Sequence, residues 1–429
     1  MASESVERRG IFMMPRWFSF RASASVDAVI SRRESKRGRG DQPFWAFFDD
    51  APKSDEERGQ VISQMMQIQL DIIREVTGEE DPYVRTTFYD EMSNLLAKGF
   101  IHPPKDKNMI WTYVAARRDH YPNDDVVQFD SSLGVKLGYY FNYQFTSTGS
   151  HLAACEGPWK MEFNYRYVNS KCPLLFSVVN AGNVREYLTE LSANARMMWS
   201  YDQYDTDTWL RDYCAQYFGR KNAARVAQLY RDFYHAYWHP KPTEFPGLGS
   251  RQYNFQDMRY ARCMDQILGR FWEYSDNPLQ DIGFESVKGR SFRIQGTHQV
   301  DTLIRNMALT AQRFDRVAAP ARHIAGSIPA DRRTWYNDNL LAQVTFMAHL
   351  SHSLHEFMLA YKGQKDKAYV HQHITVALKE MEQAKSTLYA THHGVFSDWY
   401  THDRLFGMDG KLFLYGFYKI SCGYTCLKI

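Results

Sequence analysis

The stretch Leu174-Leu175-Phe176-Ser177-Val178-Val179, followed by Asn180-Ala-Gly-Asn-Val-Arg-Glu186, decides how we interpret the fold. Its first part is an apolar run typical of a buried strand, and the chain after Glu186 leads into a helix. Gly182 permits the sharp turn between the two. A strand that ends in polar residues before a helix is where α/β proteins place their chemistry. The alternative interpretation is an ordinary strand–turn–helix junction with a solvated turn.

Helices and strands alternate before this junction. A helix is predicted near 55–77, and its apolar face should be Val61, Met65, Ile68, Ile72 and Val76. A second helix is predicted over 86–98 and should stop at Gly99. Short apolar runs predict strands at 109–111 and 138–145. This alternation indicates a parallel sheet, so the first half of the chain is expected to be α/β. Residues 1–50 carry few such signals and are expected to be irregular.

After about residue 205 the apolar pattern becomes helical. Helices are predicted within 206–238 and over 252–274, 297–317, 331–362 and 368–391. The helix at 331–362 should bury the stripe Leu340, Val344, Met347, Leu350, Leu354, Phe357 and Tyr361. Nearly 200 residues without a convincing strand indicate an all-α helical bundle. We therefore expect an irregular segment at 1–50, an α/β domain with the candidate site at 51–205, a bundle at 206–400 and a tail at 401–429.

Composition excludes several classes of protein. A content of 44% apolar and 24% charged residues is globular, and a formal net charge of +3 is too small for this length to indicate nucleic-acid binding. No run of 18 apolar residues predicts a membrane span, and the first residues lack the apolar core of a signal peptide, so the chain as written is expected in the cytoplasm. Six cysteines without a C-x-x-C pair do not suggest a metal site, and no cofactor is predicted. The aromatic content of 15% suits a core, and also suits sugar stacking.

An ordered series of segments resembles glycoside hydrolase family 115. The resemblance covers roughly residues 85–400, with fragments at Arg9–Phe12 and Arg37–Asp41. No single motif in it is decisive, and the order of the segments carries the resemblance. The segments are Tyr89–Met92, Ile110-Trp111, Asn180–Glu186, Thr206–Trp209, Tyr217–Gly219, Ala223–Trp238, Lys241-Pro242 and His393–Tyr400.

This resemblance implies a xylan α-1,2-glucuronidase, an inverting enzyme that releases (4-O-methyl)glucuronic acid from xylan side chains. It also implies secretion, and a fold with a leading α/β domain, a (β/α)₈ barrel, a helical bundle and a terminal β-sandwich. A barrel needs about 250 residues, and only about 200 precede the bundle here. The fold class is therefore expected to be α/β plus all-α, with an incomplete (β/α)₈-type barrel before the bundle. We interpret the chain as lacking part of its barrel, the leading domain and the sandwich.

Glycoside hydrolysis needs one carboxylic acid to protonate the leaving oxygen and a second carboxylate to activate water or attack. Asp119, Glu156 and Glu186 each follow a predicted strand and are the candidate catalytic residues, although solvated loop carboxylates are the alternative for all three. The candidate substrate-binding residues comprise two arginines, whose forks match a uronate carboxylate, and three polar residues suited to sugar hydroxyls. They are Arg185, Arg118, Asn183, His151 and Asn142, the last standing where the family pattern Tyr-Tyr-His has its histidine.

The chain also departs from the family pattern. The family's Asp-Asp-Asn is missing after Trp111, and its Gly-Asp-Leu-Lys-Pro reads as the stretch Gly182–Glu186. An active enzyme and an inactive relative that binds a sugar or a protein therefore both stay open. The expected partner is a polysaccharide or oligosaccharide, without nucleic acid or membrane, and a homodimer is an alternative to the monomer. His349, His352, His355 and Glu356 share one helix ridge, but polar-face histidines are the favoured interpretation, and no metal is predicted.

Overall fold

The computed structural model describes residues 11–13, 54–88, 91–105, 108–114, 132, 135–143, 157–181, 184–240, 250–252, 267–278, 283–286, 290–293, 299–401, 416–418 and 420–421. They divide into two compact units. The sheet unit comprises Met1–Asn142, Phe163–Asn180 and Glu285–Arg290, and the helical unit comprises Tyr143–Glu162, Ala181–Phe284 and Ser291–Ile429.

The sheet unit is built on five parallel strands that lie side by side in chain order. They are β1 (Ile11–Met13), β2 (Val84–Phe88), β3 (Met109–Val114), β4 (Lys136–Asn142) and β5 (Leu174–Asn180). The helices are α1 (Asp55–Thr77), α2 (Glu91–Ala97) and α3 (Pro158–Lys171), which begins in the other unit. Because crossovers between parallel strands of one sheet are right-handed as a rule, the strand order predicts that these helices lie on one face of the sheet. This is the arrangement of successive units in a (β/α)₈ barrel.

The face of the sheet that carries the helices has an aromatic core. Phe88 and Tyr113 lie opposite each other on β2 and β3, with ring centroids 5.3 Å apart. Tyr139 on β4 packs edge-on against Tyr165 of α3 at 5.5 Å, and the Tyr165 hydroxyl lies 2.6 Å from the hydroxyl of Ser177 on β5. Because side chains alternate along a strand, the intervening residues point to the opposite face.

Local signals explain the bounds of α1. Ser54 and Glu57 form a reciprocal capping box at its start, and Gly78 ends it in a left-handed conformation with φ of 72°. The predicted buried face is wrong, however, because Ile68 is 51% exposed while Ile62, Met66, Leu70 and Ile73 are buried beside Ile72. Two apolar stripes run side by side on this helix, and packing selects the second one.

The helix predicted over 86–98 is also corrected. Val84–Phe88 forms strand β2, and the helix begins only at Glu91. Val84, Thr86, Thr87 and Phe88 are β-branched or aromatic, which favours a strand that pairs on both sides. Gly99 follows the helix with φ of 76°, as predicted for the residue after a helix end.

The helical unit contains seven helices of the described chain. They are α4 (Leu188–Trp199), α5 (Thr206–Phe218), α6 (Ala223–Ala236), α7 (Val300–Ala325), α8 (Ala330–Tyr336), α9 (Ala342–Lys362) and α10 (Lys367–Tyr389). A π-helical turn, Asn337–Leu341, joins α8 to α9. Helix α9 packs against both α7 and α10, and the whole predicted stripe from Leu340 to Tyr361 is buried. This stripe is confirmed as the centre of the helical core.

The expectation that 206–400 holds no strand is wrong. β6 (Trp238–Pro240) pairs antiparallel with β7 (Ser250–Gln252), and β8 (Gly283–Ser286) pairs with β9 (Arg290–Arg293). These strands are only three or four residues long, which is too short to show a period-two pattern. Gln252, at the start of the helix predicted over 252–274, belongs to β7, and residues 253–266 lie outside the described part of the chain.

The fold class is confirmed in its coarse form, a parallel sheet followed by a helical region. Within the described residues the five-stranded sheet is open, so the barrel itself is not formed there. The domain limits given from the sequence stay predictions. In the described part of the chain, every helix is too short or too polar to span a bilayer.

Candidate functional site

The structure describes three of the predicted site residues. Glu186 and Arg185 lie in the helical unit, and Asn142 lies in the sheet unit at the end of β4. The other predicted residues are outside the described part of the chain, and their roles stay predictions: Asp119, Glu156, Asn183, Arg118 and His151.

Glu186 lies in the turn that leads into α4. The turn is closed by a hydrogen bond from the Tyr187 amide to the Val184 carbonyl, and the Tyr187 carbonyl then accepts the first bond of the helix. The Glu186 side chain is only 4% exposed. Its Oε1 accepts a hydrogen bond from Trp399 Nε1 at 2.7 Å and another from the hydroxyl of Tyr400. A segment from the far end of the chain therefore holds this carboxyl group.

The environment of Glu186 favours its protonated form. Burial raises the pKa of Glu186 to about 7, although hydrogen bonds from Tyr400 and Trp399 and the charge of Arg185 lower it. Among the described residues, Oε2 has no hydrogen-bond partner. Since Oε1 already accepts two bonds, the acidic proton belongs on Oε2, where the O–H can donate. A carboxylic acid with this pKa is suited to general acid catalysis near neutral pH.

Arg185 is buried next to Glu186. One terminal nitrogen, Nη2, donates to the Thr391 carbonyl at 2.5 Å and lies 3.3 Å from the Asp338 carboxylate. The guanidinium carbon stacks 4.7 Å above the ring of Phe396. The other terminal nitrogen, Nη1, is buried without a hydrogen-bond partner among the described residues. Arg185 therefore anchors the chain after α10 to the turn before α4.

Three residues of this cluster were not predicted from the sequence. Glu190 lies one helical turn after Glu186 and is fully buried, and burial raises its pKa to about 8. Burial therefore favours the neutral form of Glu190 near pH 7. The spacing of four residues was the available signal, but only burial distinguishes such a carboxyl from a solvated one. Trp399 and Tyr400 belonged to the resemblance without being assigned a role.

Asn142 ends β4 and is 1% exposed. It lies opposite Asn180, the last residue of β5, and its Oδ1 accepts a hydrogen bond from Asn180 Nδ2 at 3.0 Å. The two amides therefore form a pair at the carboxyl edge of the sheet. This is the edge at which parallel α/β sheets bind their ligands.

The histidines of α9 pair with carboxylates. His349 lies 2.7 Å from Glu380, His352 lies 2.8 Å from Asp315, and Glu356 contacts both His355 and His373. In the part of the chain that the structure describes, no three histidine, cysteine or acidic side chains come together as metal ligands would.

Comparison with known proteins agrees with this architecture of a parallel α/β sheet and a helical region. The family model for glycosyl hydrolase family 115 matches residues 24–243 of the 429, just over half of the chain. The chain belongs to this family.

Among solved structures, the chain is similar to a family GH115 4-O-methyl-α-glucuronidase, BtGH115A, with specificity for decorated arabinogalactans. The TM-score is 0.54 at 12% sequence identity, and the match covers 85% of this chain and 43% of the other, so the likeness concerns the fold. The chain spans less than half the length of that enzyme. No curated protein matches it.

Proposed function

We propose that this protein is a glycoside hydrolase that releases glucuronic acid, or its 4-O-methyl form, from polysaccharide side chains, with Glu186 as the general acid. The family supports the reaction class. The observation that carries the proposal is the protonation of Glu186: burial raises its pKa to about 7, and its Oε2 has no hydrogen-bond partner among the residues that the structure describes. A carboxyl group that keeps its proton near neutral pH can protonate the departing sugar oxygen.

The surroundings of Glu186 suit this role before and after proton transfer. Before transfer, the bonds from Trp399 and Tyr400 hold Oε1 and leave the proton on Oε2. After transfer, the same two donors stabilise the carboxylate, because hydrogen bonds to a charged oxygen are the stronger ones. The proton thus leaves a group that is positioned in both charge states. The buried Nη1 of Arg185 is the proposed contact for the uronate carboxylate.

The second catalytic group is proposed from the sequence alone. Asp119 and Glu156 are the candidates for the base that activates water. An inverting enzyme requires about 6.5–9.5 Å between its two carboxyl groups. The polymer is a further proposal: the resemblance implies xylan, while the similar enzyme BtGH115A is described as specific for decorated arabinogalactans. Release of glucuronic acid from glucuronoxylan and from arabinogalactan distinguishes the two.

The test of Glu186 is its replacement by glutamine. Glu186→Gln keeps the shape of the side chain but has no proton to give, so turnover on glucuronoxylo-oligosaccharides should fall by about 10²- to 10⁴-fold. An aryl glucuronide with an acidic leaving group needs little protonation, so its hydrolysis should fall much less. The exposed Glu79→Gln is the matched control, and a thermal melt checks the fold. Equal losses on both substrates, or none on either, would reject Glu186 as the acid.

A second candidate is a relative that binds a sugar or a protein without cleaving it. The observation that favours it is that both predicted residues make contacts within the protein. Glu186 and Arg185 are each buried and bonded to residues between Asp338 and Tyr400. This candidate predicts measurable binding of glucuronate by the wild-type chain with no release of glucuronic acid from any polymer.

A further inference from the structure

A short turn in the helical unit, residues 272–276, is exposed along its whole length and carries two large aromatic side chains. Trp272 is 56% exposed and Tyr274 is 42% exposed. We call residues 272–276 the aromatic turn. Single exposed apolar side chains are normal on a protein surface, whereas large rings grouped on one turn are candidates for a binding surface.

The helical core holds the backbone of the aromatic turn in place. Phe271, directly before the turn, is buried and packs against Tyr361 of α9, with ring centroids 5.9 Å apart. The Tyr361 hydroxyl donates a hydrogen bond to the Glu273 carbonyl at 3.1 Å and accepts one from the Ser275 amide at 2.9 Å. One buried side chain therefore fixes the backbone on both sides of Tyr274. A surface that is fixed before binding loses little conformational entropy when a ligand arrives.

Buried rings also support the two exposed rings. Tyr274 stacks on Tyr361 with ring centroids 5.4 Å apart and 28° between the planes. Trp272 contacts the ring of Phe271 edge-on, at 4.9 Å and 87°. Because Tyr361 covers one face of the Tyr274 ring, the exposed area of Tyr274 belongs to its other face and its edge. The face of an aromatic ring is electrically negative and attracts weakly positive C–H groups.

Hydrogen-bonding groups lie beside the rings. Glu273 and Asp276 are exposed on the same turn. Burial, a hydrogen bond with Asp276 and the charge of Asp301 together raise the pKa of Tyr274 to about 12, so the Tyr274 hydroxyl keeps its proton. An ionised carboxylate only accepts hydrogen bonds, and it can accept several. The carboxylates of the turn therefore suit a ligand that carries hydroxyl groups.

The charges around the aromatic turn favour a neutral ligand. Asp301 of α7 is already paired with Lys362 of α9 at 2.6 Å. Glu273 and Asp276 add two negative charges, and Arg270 before the turn adds one positive charge. These groups together carry more negative than positive charge, so an anion such as a uronate gains little here. A neutral sugar ring offers C–H groups to the aromatic faces and hydroxyls to the carboxylates.

We propose that the aromatic turn binds the neutral main chain of the polysaccharide substrate, with Trp272 and Tyr274 stacking on sugar rings and with Glu273 and Asp276 accepting hydrogen bonds from sugar hydroxyls. The inference takes the polysaccharide from the proposed function, but it does not depend on the role of Glu186. A main chain that is held on the enzyme raises the effective concentration of its own side chains at the reaction site. The turn thus recognises the part of the polymer that is not cleaved.

The experiment is native electrophoresis of the full chain through gels that contain undecorated xylan, undecorated galactan or no polymer. At least one of the two neutral polymers should retard the wild type, and the dependence on polymer concentration gives the dissociation constant. Trp272→Ala and Tyr274→Ala should each weaken this binding by about three- to tenfold, because each removes one stacking ring. Trp272→Phe should weaken it less, since a ring remains.

The matched control is Trp199→Ala, which removes a tryptophan that is 84% exposed at the end of α4 and should leave binding unchanged. Equal weakening by Trp199→Ala would overturn the proposal, because any exposed ring would then serve. Wild type that neither polymer retards would also overturn it. Binding of a neutral chain should persist when the salt concentration rises from about 0.05 to about 0.5 M, and a strong loss there would show an ionic ligand site instead. Thermal melts check that each variant folds.

The same measurement separates the aromatic turn from the proposed reaction, because undecorated polymers carry no glucuronic acid to be cleaved. Glu186→Gln should bind the polymer like the wild type while losing turnover. If Glu186→Gln keeps turnover while Trp272→Ala loses polymer binding, the assignment of the acid fails and the aromatic turn stands. If Trp272→Ala and Tyr274→Ala bind normally while Glu186→Gln loses turnover, the aromatic turn is not the polymer site and the assignment of the acid stands.

Discussion

The hydroxyl of Tyr400 donates a hydrogen bond to Oε1 of Glu186, a residue 214 positions earlier in the chain. Trp399 donates to the same oxygen, and Arg185 bonds to Thr391 in the same late segment. The chain after α10 is therefore attached to the turn before α4 by two neighbouring residues of that turn. Because every one of these groups is buried or half-buried, the contacts should contribute to stability as well as to the charge state of Glu186.

Replacing Tyr400 by phenylalanine should separate these two effects. Tyr400→Phe removes one donor, so the free energy of unfolding should fall by about 1–2 kcal/mol in urea. In the wild type, the hydrogen bond from Tyr400 lowers the pKa of Glu186, so this pKa should rise in the variant. Carbon NMR of labelled glutamate measures the change. Tyr418→Phe is the matched control, because Tyr418 bonds to the exposed Glu382. Equal effects of the two substitutions would contradict the prediction.

Stability should fall as the pH rises from about 4.5 to 8. Burial raises the folded-state pKa values of Glu186 and Glu190 to about 7 and about 8, above the ordinary value of 4.5. The folded state therefore holds protons that the unfolded chain has released, and the stabilisation present below pH 4.5 is lost as the pH passes the folded pKa values. Each carboxyl should contribute a slope of up to about 1.4 kcal/mol per pH unit.

Urea unfolding of glutamine variants at several pH values checks this dependence. Glu186→Gln and Glu190→Gln should each flatten the curve, and the exposed Glu79→Gln should leave its slope unchanged. A slope that is the same in all four proteins would show that neither buried carboxyl holds its proton.

The carboxylate of Glu356 should give the opposite pH dependence. Burial alone would raise its pKa, but hydrogen bonds from His355 and His373 lower it below the ordinary value. Its contribution is therefore present above the unfolded pKa and is lost as the pH falls through the lowered folded value. Glu356→Gln should cost about 1–2 kcal/mol of unfolding free energy near pH 6 and little near pH 3. Asp315→Asn is the control, because it removes the exposed partner of His352. It should lower the free energy of unfolding by less than about 0.5 kcal/mol at both pH values.

Gly138 should not accept a side chain. A Cβ at this position would lie 2.7 Å from the Thr112 hydroxyl oxygen and 3.1 Å from a methyl group of Ile110. Gly138→Ala should therefore destabilise the protein by about 1–3 kcal/mol in urea unfolding. Adding Thr112→Ala should recover part of this loss, since it removes the nearest atom. Gly269→Ala, with open space around its Cβ, is the control, and a similar loss there would contradict the packing argument.

Several elements could be predicted because their signals are local. The bounds of α1, the left-handed Gly99 and the apolar period of α9 each depend on residues within a few positions of one another. Strand β2 could not be predicted in this way, since its five residues are stabilised by neighbours on both sides of the sheet. For α1 the predicted bounds were correct, but the predicted buried face was wrong, because the sequence offers two apolar stripes.

The candidate site also has one part that local sequence signals predicted and another that depends on contacts between distant segments. Glu186 was a candidate from its place after a strand, but its protonation follows from burial and from donors more than 200 residues away. That Arg85, Tyr140 and Asn180 share one face of the sheet was invisible in the sequence, because they belong to three different strands. The sequence by itself determined the alternation of helices and strands, the helical region and the family, since these depend on local periodicity and ordered motifs. Only the tertiary structure decided which carboxyl groups are neutral and which polar residues share a face, because burial and strand register depend on contacts between distant segments.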